Sequence, residues 1–236
     1  IMNLGLFRLK SIWWPTWRAW FLIVLLGSVA FVGGIRSAYP FLAPTHRVPA
    51  EVLVVEGWLP EYALKAAIHE FSENSYTLLV TSGGPLWEGH HASGFHSYAE
   101  LAGQVLRGLN FDTNQLAVAP GPKVWRHRTF HSAKAVQDYL VASKLDPSGI
   151  NIMTLGPHGK RTEIIYSEVF GDQIPLGIIS FPSSEYDQKS WWRTSEGTKH
   201  VLTEAMASSY EGLFKSGRNS SRIAECAACN QRFEFA

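Results

Sequence analysis

Polar, glycine and imidazole residues follow four short apolar runs of this 236-residue chain. The segments are Glu56-Gly57-Trp58, Thr81-Ser82-Gly83-Gly84, Trp125-Arg126-His127-Arg128-Thr129 and Gly156-Pro157-His158-Gly159-Lys160-Arg161-Thr162. Histidine titrates near neutral pH and suits proton transfer, whereas arginine side chains and accessible backbone N–H groups bind anions. Because two of the segments combine basic side chains with histidine, we expect the four to form a site for a phosphate-like anion.

The anion would be held by backbone and by cationic side chains. Gly83 and Gly84 would leave N–H groups accessible, and a helix entered at Thr129 would attract negative charge to its N-terminus. The basic side chains expected to neutralise the phosphate are Arg128, Lys160 and Arg161. Each of them alone is more often a solvated surface residue, so the prediction depends on their convergence.

Proton transfer is assigned to His158 or His127. Glu56 ends an apolar run, where a carboxylate is costly unless it is paired. It is either a third catalytic group, acting as a base, or the partner of Arg128 or Arg161. The sequence leaves both roles open.

Two other clusters do not support a metal site. His90, His91 and His96 lie in a glycine-rich stretch, but adjacent histidines cannot share one helical face and no HExxH pattern completes the set. Cys226 and Cys229 form a CxxC motif without the second ligand pair that zinc requires. We therefore predict no metal and expect a disulfide or free thiols at the cysteines.

Composition and motifs exclude several function classes. A formal net charge of +1 provides no basic surface of the kind that nucleic acid requires. The chain has no GxSxG, Walker A or GxGxxG motif, so serine hydrolase, P-loop and standard dinucleotide functions lack support. No cofactor is predicted.

An uncharged run between Arg18 and Arg36 predicts a transmembrane anchor at residues 17–38. Its seventeen residues would give roughly 25 Å of helix, and Trp17 and Tyr39 lie at its ends as interfacial residues do. The slight excess of positive charge before the run predicts that residues 1–16 are cytoplasmic, with the domain outside the cytoplasm in a single-pass inner-membrane protein. A cleaved signal peptide and a buried core helix are the alternatives.

Residues 39–50 are predicted to be a linker, and residues 51–214 one α/β domain. Five strand-like runs, at 51–55, 76–80, 116–119, 150–155 and 175–180, alternate with five amphipathic helices. This pattern predicts a Rossmann-like, doubly wound three-layer sandwich with mainly parallel strands. Thr129 is expected to cap the third domain helix, and the fourth is expected to run from about Thr162 to Phe170. The stripe expected to pack the last helix on the sheet is Val201, Leu202, Ala205, Met206, Tyr210, Leu213 and Phe214. Residues 215–236 are predicted to be a disordered tail.

At its loops the chain resembles the YdcF/SanA/ElyC-like family of bacterial envelope proteins, as a divergent member. The resembling segments, within residues 51–214, are VEGWLPEYAL, TSGG, HRTFHSA, LGPHGKRTEIIYSEVFG and DQKSWWRTSEG. The resemblance implies a Rossmann-like sandwich behind a membrane anchor and a role in envelope or peptidoglycan-precursor biology. It marks as crevice residues Glu56, Gly57, Ser82, Gly83, Gly84, Arg128, Thr129, His158 and Arg161. Better-known members have a glycine-rich turn after the first strand and an Asn-Thr pair before the third helix, where this chain has Glu56-Gly57-Trp58 and Arg128-Thr129.

Three functions are compatible with these patterns. The first is an envelope enzyme or binding protein that takes a phosphorylated precursor, such as a nucleotide sugar or a polyprenyl-phosphate-linked intermediate. The second is a non-catalytic assembly factor that recruits an envelope protein partner. The third is binding of S-adenosylmethionine or a nucleotide, for which Glu56 is the one obvious carboxylate to hold the ribose.

Overall fold

The computed structural model describes residues 14–86, 94–172 and 174–214. The chain divides into two units, residues 1–37 and residues 38–236. The first described element is helix α1, Trp17–Leu42, and its last turn belongs to the second unit. With a mean hydropathy of 1.9 in its most apolar stretch, none of it buried, α1 is long and apolar enough to cross a membrane. It is consistent with an anchor or with a signal sequence.

The second unit contains a six-stranded sheet. Its strands are β1 (Thr45–His46), β2 (Val52–Glu56), β3 (Leu78–Gly83), β4 (Leu116–Pro120), β5 (Ile150–Leu155) and β6 (Leu176–Phe181). Their spatial order is β1-β6-β5-β2-β3-β4. All neighbouring pairs are parallel except β1 with β6. The predicted mainly parallel α/β fold is therefore confirmed, and β1 adds a short antiparallel edge strand to the five expected.

Helices cover both faces of the sheet. They are α2 (Glu61–Glu73), α3 (Tyr98–Gly108), α4 (Arg128–Ala142), α5 (Gly159–Phe170) and α6 (Ser195–Phe214). One core lies between the sheet and α2 with α3, and the other lies between the sheet and α4 with α5. Every residue of β2 is buried, as expected for a central parallel strand covered on both faces.

The segment predicted as a linker, residues 39–50, is part of the folded unit. Tyr39 and Leu42 are buried, and Thr45 pairs with Ile179 of β6. Its proline content and lack of periodicity suggested a spacer. Thr45 and His46 nevertheless form a two-residue strand at the sheet edge, where one side of the strand needs no partner.

Two details of the helices also differ from prediction. The N-cap of α4 is His127, in the left-handed conformation with φ 54°, and Thr129 lies within the first turn. Helix α5 begins at Gly159 rather than near Thr162, because the short 3-10 helix Gly156–His158 leads directly into it. As a result, His127 and His158 each lie directly before the first residue of a helix.

Helix α6 buries the opposite face from the one predicted. Of the predicted stripe only Val201 is buried, whereas Leu202, Met206, Tyr210, Leu213 and Phe214 are 51–78% exposed. The inward positions are Gly197, Val201, Glu204, Ser208 and Glu211. The predicted tail, residues 215–236, lies outside the described residues.

Candidate functional site

The strand order places the ends of β2 and β5 side by side. From β2 the sheet extends through β3 and β4 in one direction and through β5 and β6 in the other, so the crossover direction reverses between β2 and β5. Crevices for ligands in open α/β sheets form beyond the carboxyl ends of the strands at such a reversal. Glu56 ends β2, and His158 follows β5 by three residues, so both belong to this point.

A cavity of about 480 Å³ opens at this edge. That volume is in the range of roughly 300–1,000 Å³ found for small-molecule sites. Its lining includes these predicted site residues: Glu56, Ser82, Gly83, Gly84, His127, Arg128, Thr129, His158 and Arg161. It also includes residues that the sequence did not single out: Pro85, Tyr98, Ser132, Ile165, His200, Glu204 and Glu211.

Glu56 is a buried carboxylate whose oxygens are occupied. Thr154 Oγ1 and Trp58 Nε1 donate hydrogen bonds to Oε2, and Thr162 Oγ1 donates to Oε1 at 3.2 Å. The Nε2 atom of His158 lies 3.5 Å from Oε1. Burial alone would raise the pKa of Glu56, but the His158 charge, the hydrogen bonds with His158 and Thr154 and the Arg161 charge outweigh it and hold the pKa below the ordinary value. Glu56 is thus an ionised partner of His158.

His158 is fixed between two carboxylates. Its Nε2 faces Glu56, and its Nδ1 lies 3.1 Å from Glu204 Oε1. The Trp58 ring meets the imidazole edge-to-face, with centroids 5.2 Å apart. Burial would lower the pKa of His158, but Glu56 and Glu204 raise it to about 9. A pKa above neutrality favours the protonated ring, although Arg161 Nη2 lies 2.9 Å from the same Nδ1 and its charge opposes protonation.

Glu204 also binds the predicted arginine. Arg161 Nη2 donates to Glu204 Oε1 at 2.9 Å, so the guanidinium and the imidazolium share one acceptor oxygen. Burial would raise the pKa of Glu204, but His158 and Arg161 lower it to about 2. Two negative and two positive groups therefore form a neutral quartet, consisting of Glu56, His158, Arg161 and Glu204, in which Arg161 is partly exposed and the other three residues are buried. Such an arrangement keeps each charge fixed in place.

Arg128 is a predicted cation that lines the cavity outside this quartet. Arg128 is exposed, lines the cavity and is the first residue of α4. No side chain caps the α4 N-terminus, so the first-turn N–H groups of Arg128 and Thr129 can meet a ligand there. An anion would thus encounter Arg128 and the α4 N-terminus before the neutral quartet.

The glycines at the strand ends serve different purposes. A Cβ on Gly57 would overlap the backbone carbonyl of Tyr98, and a Cβ on Gly83 would lie 2.9 Å from the Tyr98 Cβ. These two glycines let α3 approach the strand ends, and Gly57 is outside the cavity lining. A Cβ on Gly84 would meet no neighbouring atom within 4 Å, so this glycine borders open space in the cavity.

Ser82 and Lys160 complete the predicted set. Ser82 lines the cavity, and its Oγ lies 3.3 Å from the hydroxyl of Tyr166. Lys160 is outside the lining: its Nζ donates to Glu163 at 2.7 Å and lies 5.8 Å from the centroid of the Phe41 ring. Lys160 therefore does not join Arg161, because neighbouring residues of a helix point in different directions.

The main residue missed by sequence reasoning is Glu204. The sequence did contain a signal for it. Small and polar residues recur at helical spacing along one face of this helix, and two glutamates on that face are spaced seven residues apart. The residues of this face are Gly197, Val201, Glu204, Ser208 and Glu211. The stronger apolar pattern on the opposite face obscured it. Glu204 is 46 residues from His158, so no local motif connects them.

The quartet is not arranged as a metal site. Within the described ranges no three His, Cys, Asp or Glu side chains form a group suited to a metal ion. Glu56 and Glu204 approach opposite ring nitrogens of His158, so they cannot share an ion with it. Of the three histidines considered at the sequence level, His90 and His91 lie outside the described residues, as do Cys226 and Cys229.

Comparison with models of known protein families gives no match to this chain, and a search of curated proteins gives none either.

Proposed function

We propose that this is a membrane-anchored protein of the bacterial cell envelope whose crevice binds a phosphorylated precursor, either a nucleotide sugar or a polyprenyl-phosphate-linked intermediate. The proposal includes the resemblance to YdcF/SanA/ElyC-like proteins. It is carried by one observation: the uncapped N-terminus of α4 and Arg128 face the same cavity as His158 and Arg161. Helix N-termini and arginine are the usual partners of phosphate oxygens.

The charge distribution favours binding over base catalysis. A His158 pKa of about 9 keeps the ring mostly protonated at neutral pH, which disfavours proton abstraction, and the Glu56 oxygens already accept hydrogen bonds. His158 can supply a proton or a fixed positive charge to a phosphate ester oxygen. An adenosyl ligand has less support, because Glu56, the carboxylate expected to hold its ribose, is occupied.

The test is mass spectrometry of small molecules that co-purify with the detergent-solubilised full chain. We expect a phosphorylated compound with the unaltered protein. Arg128→Ala should lose it, because this exposed cation lines the cavity without belonging to the quartet. Lys160→Ala is the matched control, since Lys160 lies next to Arg161 in sequence but outside the cavity.

Two results would contradict the proposal. One is the absence of any phosphorus-containing compound from the folded protein. The other is its equal retention by Arg128→Ala. If, in addition, Arg128→Ala and Arg161→Ala left function in cells unchanged, the non-catalytic assembly factor would be the better explanation.

A further inference from the structure

Helix α6 has its polar face directed inward and its apolar face directed outward. Glu204, Ser208 and Glu211 are buried against the rest of the unit. At roughly 100° per residue, Leu202, Met206 and Leu213 project within roughly 40° of one another on the opposite side. Most helices on the surface of globular proteins have the reverse arrangement.

The outward face has no charge from residue 202 to residue 214. Its exposed positions are Leu202, Thr203, Met206, Ser209, Tyr210, Gly212, Leu213 and Phe214. The rings of Tyr210 and Phe214 contact each other on this face, with centroids 5.2 Å apart. A continuous exposed apolar strip on a folded domain normally marks a surface that is buried against a protein partner or a membrane.

We propose that this outward face of α6 lies in the headgroup region of an anionic lipid bilayer. A helix that binds such an interface combines an apolar strip with cationic residues near it. Lys199 is exposed on the same side, one turn before Leu202, and the next charged residues after the strip are Lys215, Arg218 and Arg222. Nearby cations add electrostatic attraction to anionic lipid.

The chain also has a second apolar segment that makes lipid the favoured occupant. Helix α1 is long and apolar enough to span a bilayer, and Tyr39 and Leu42 of its last turn are buried in the folded unit. A domain held at a membrane by α1 would meet lipid at high effective concentration, so that even a weak interfacial contact would form. This inference concerns a different surface from the cavity and does not depend on the cavity's ligand.

The test uses the full chain with Cys226 and Cys229 replaced by serine and one new cysteine carrying a bimane fluorophore. Met206→Cys places the label on the outward face of α6. Lys65→Cys on α2 is the matched control, since Lys65 has a similarly exposed side chain. The protein would be reconstituted in vesicles of phosphatidylethanolamine and phosphatidylglycerol that contain doxyl-labelled lipid.

We expect the doxyl lipid to quench most of the emission at position 206 and little at position 65. Replacing the anionic lipid by phosphatidylcholine should reduce the quenching at 206. Equal and weak quenching at both positions, with free access of aqueous iodide, would show that the face is in water and overturn the proposal. If the label at position 206 resisted both quenchers, protein would cover the strip, and the proposal would again be overturned. A chain that ends after Phe214 would then show whether the covering segment is residues 215–236 or a second copy of the protein.

Discussion

Glu204 of the last helix accepts hydrogen bonds from both His158 and Arg161, at 3.1 and 2.9 Å. This one carboxylate connects α6 to the turn after β5. It also helps to raise the pKa of His158, because the charge of Glu56 and the hydrogen bonds with Glu204 and Glu56 together outweigh the effect of burial on the imidazole. The site therefore depends on a residue far away in the sequence.

Replacing Glu204 by glutamine should destabilise the domain and lower the pKa of His158. The amide keeps the shape of the carboxylate but removes its charge, which leaves the buried His158 and the partly exposed Arg161 with Glu56 as their counter-ion, at a cost of roughly 3 kcal/mol. Urea unfolding and an NMR titration of the histidines would measure the two effects. Glu73→Gln, on the exposed end of α2, should change stability by about 0.5 kcal/mol or less. An unchanged His158 titration in Glu204→Gln would show that Glu204 does not control it.

Stability should fall at alkaline pH because His158 loses its proton. The folded-state pKa, about 9, is above the ordinary value of 6.5, so the stabilisation is complete below pH 6.5 and is lost as the pH rises through about 9. We expect the free energy of unfolding to drop by a few kcal/mol between about pH 7 and pH 10. Denaturation at a series of pH values would show this, and His158→Gln should have a flatter profile. A profile for the unaltered protein as flat as that of the variant would refute the assignment.

The acidic side should show the opposite dependence. The pKa values of Glu56 and Glu204 are lowered, the latter to about 2, so their stabilisation is present above the ordinary carboxylate pKa and is lost as the pH falls through the folded-state values. Acid unfolding of Glu204→Gln should therefore be less steep than that of the unaltered chain. Circular dichroism over a descending pH series measures this, and identical acid transitions would contradict it.

Gly57→Ala should destabilise the domain, whereas Gly84→Ala should not. A Cβ on Gly57 would lie 2.6 Å from the carbonyl carbon of Tyr98, which forces α3 away from the strand ends. Overpacking of this kind costs about 1–3 kcal/mol or more. Gly84 has open space at that position, so thermal unfolding should distinguish this matched pair. Similar melting temperatures would mean that α3 can shift without loss.

Asn151→Ala should be costly although Asn151 is far from the cavity mouth. Its side chain bonds both the N–H and the C=O of Val48 and donates to the Tyr76 hydroxyl at 2.8 Å. Each buried polar group left without a partner costs roughly 1–3 kcal/mol. Urea unfolding would measure the loss, with Asn114→Ala as the control, because the Asn114 side chain is exposed and donates to exposed Asp112. A loss no larger than that of the control would contradict this role.

Local patterns in the sequence were sufficient for the fold class. Apolar runs such as Ile150–Leu155 and the helical stripe of α2 are set by the two periodicities of strands and helices, which act over a few residues. Because parallel strands align their carboxyl ends, the alternation also predicted that the segments after them would meet. Most of the residues chosen on that ground line one cavity.

The sequence determined the elements and the residues at the strand ends. The tertiary structure alone decided that β5 lies beside β2, that Lys160 points away from Arg161, and which face of α6 turns inward. An apolar stripe predicts burial when hydrophobic transfer dominates, and on α6 it predicted the wrong face. The inward face holds Glu204, whose partners come from residues 158 and 161, and a charge pairing across more than 40 residues leaves no periodic trace in the chain.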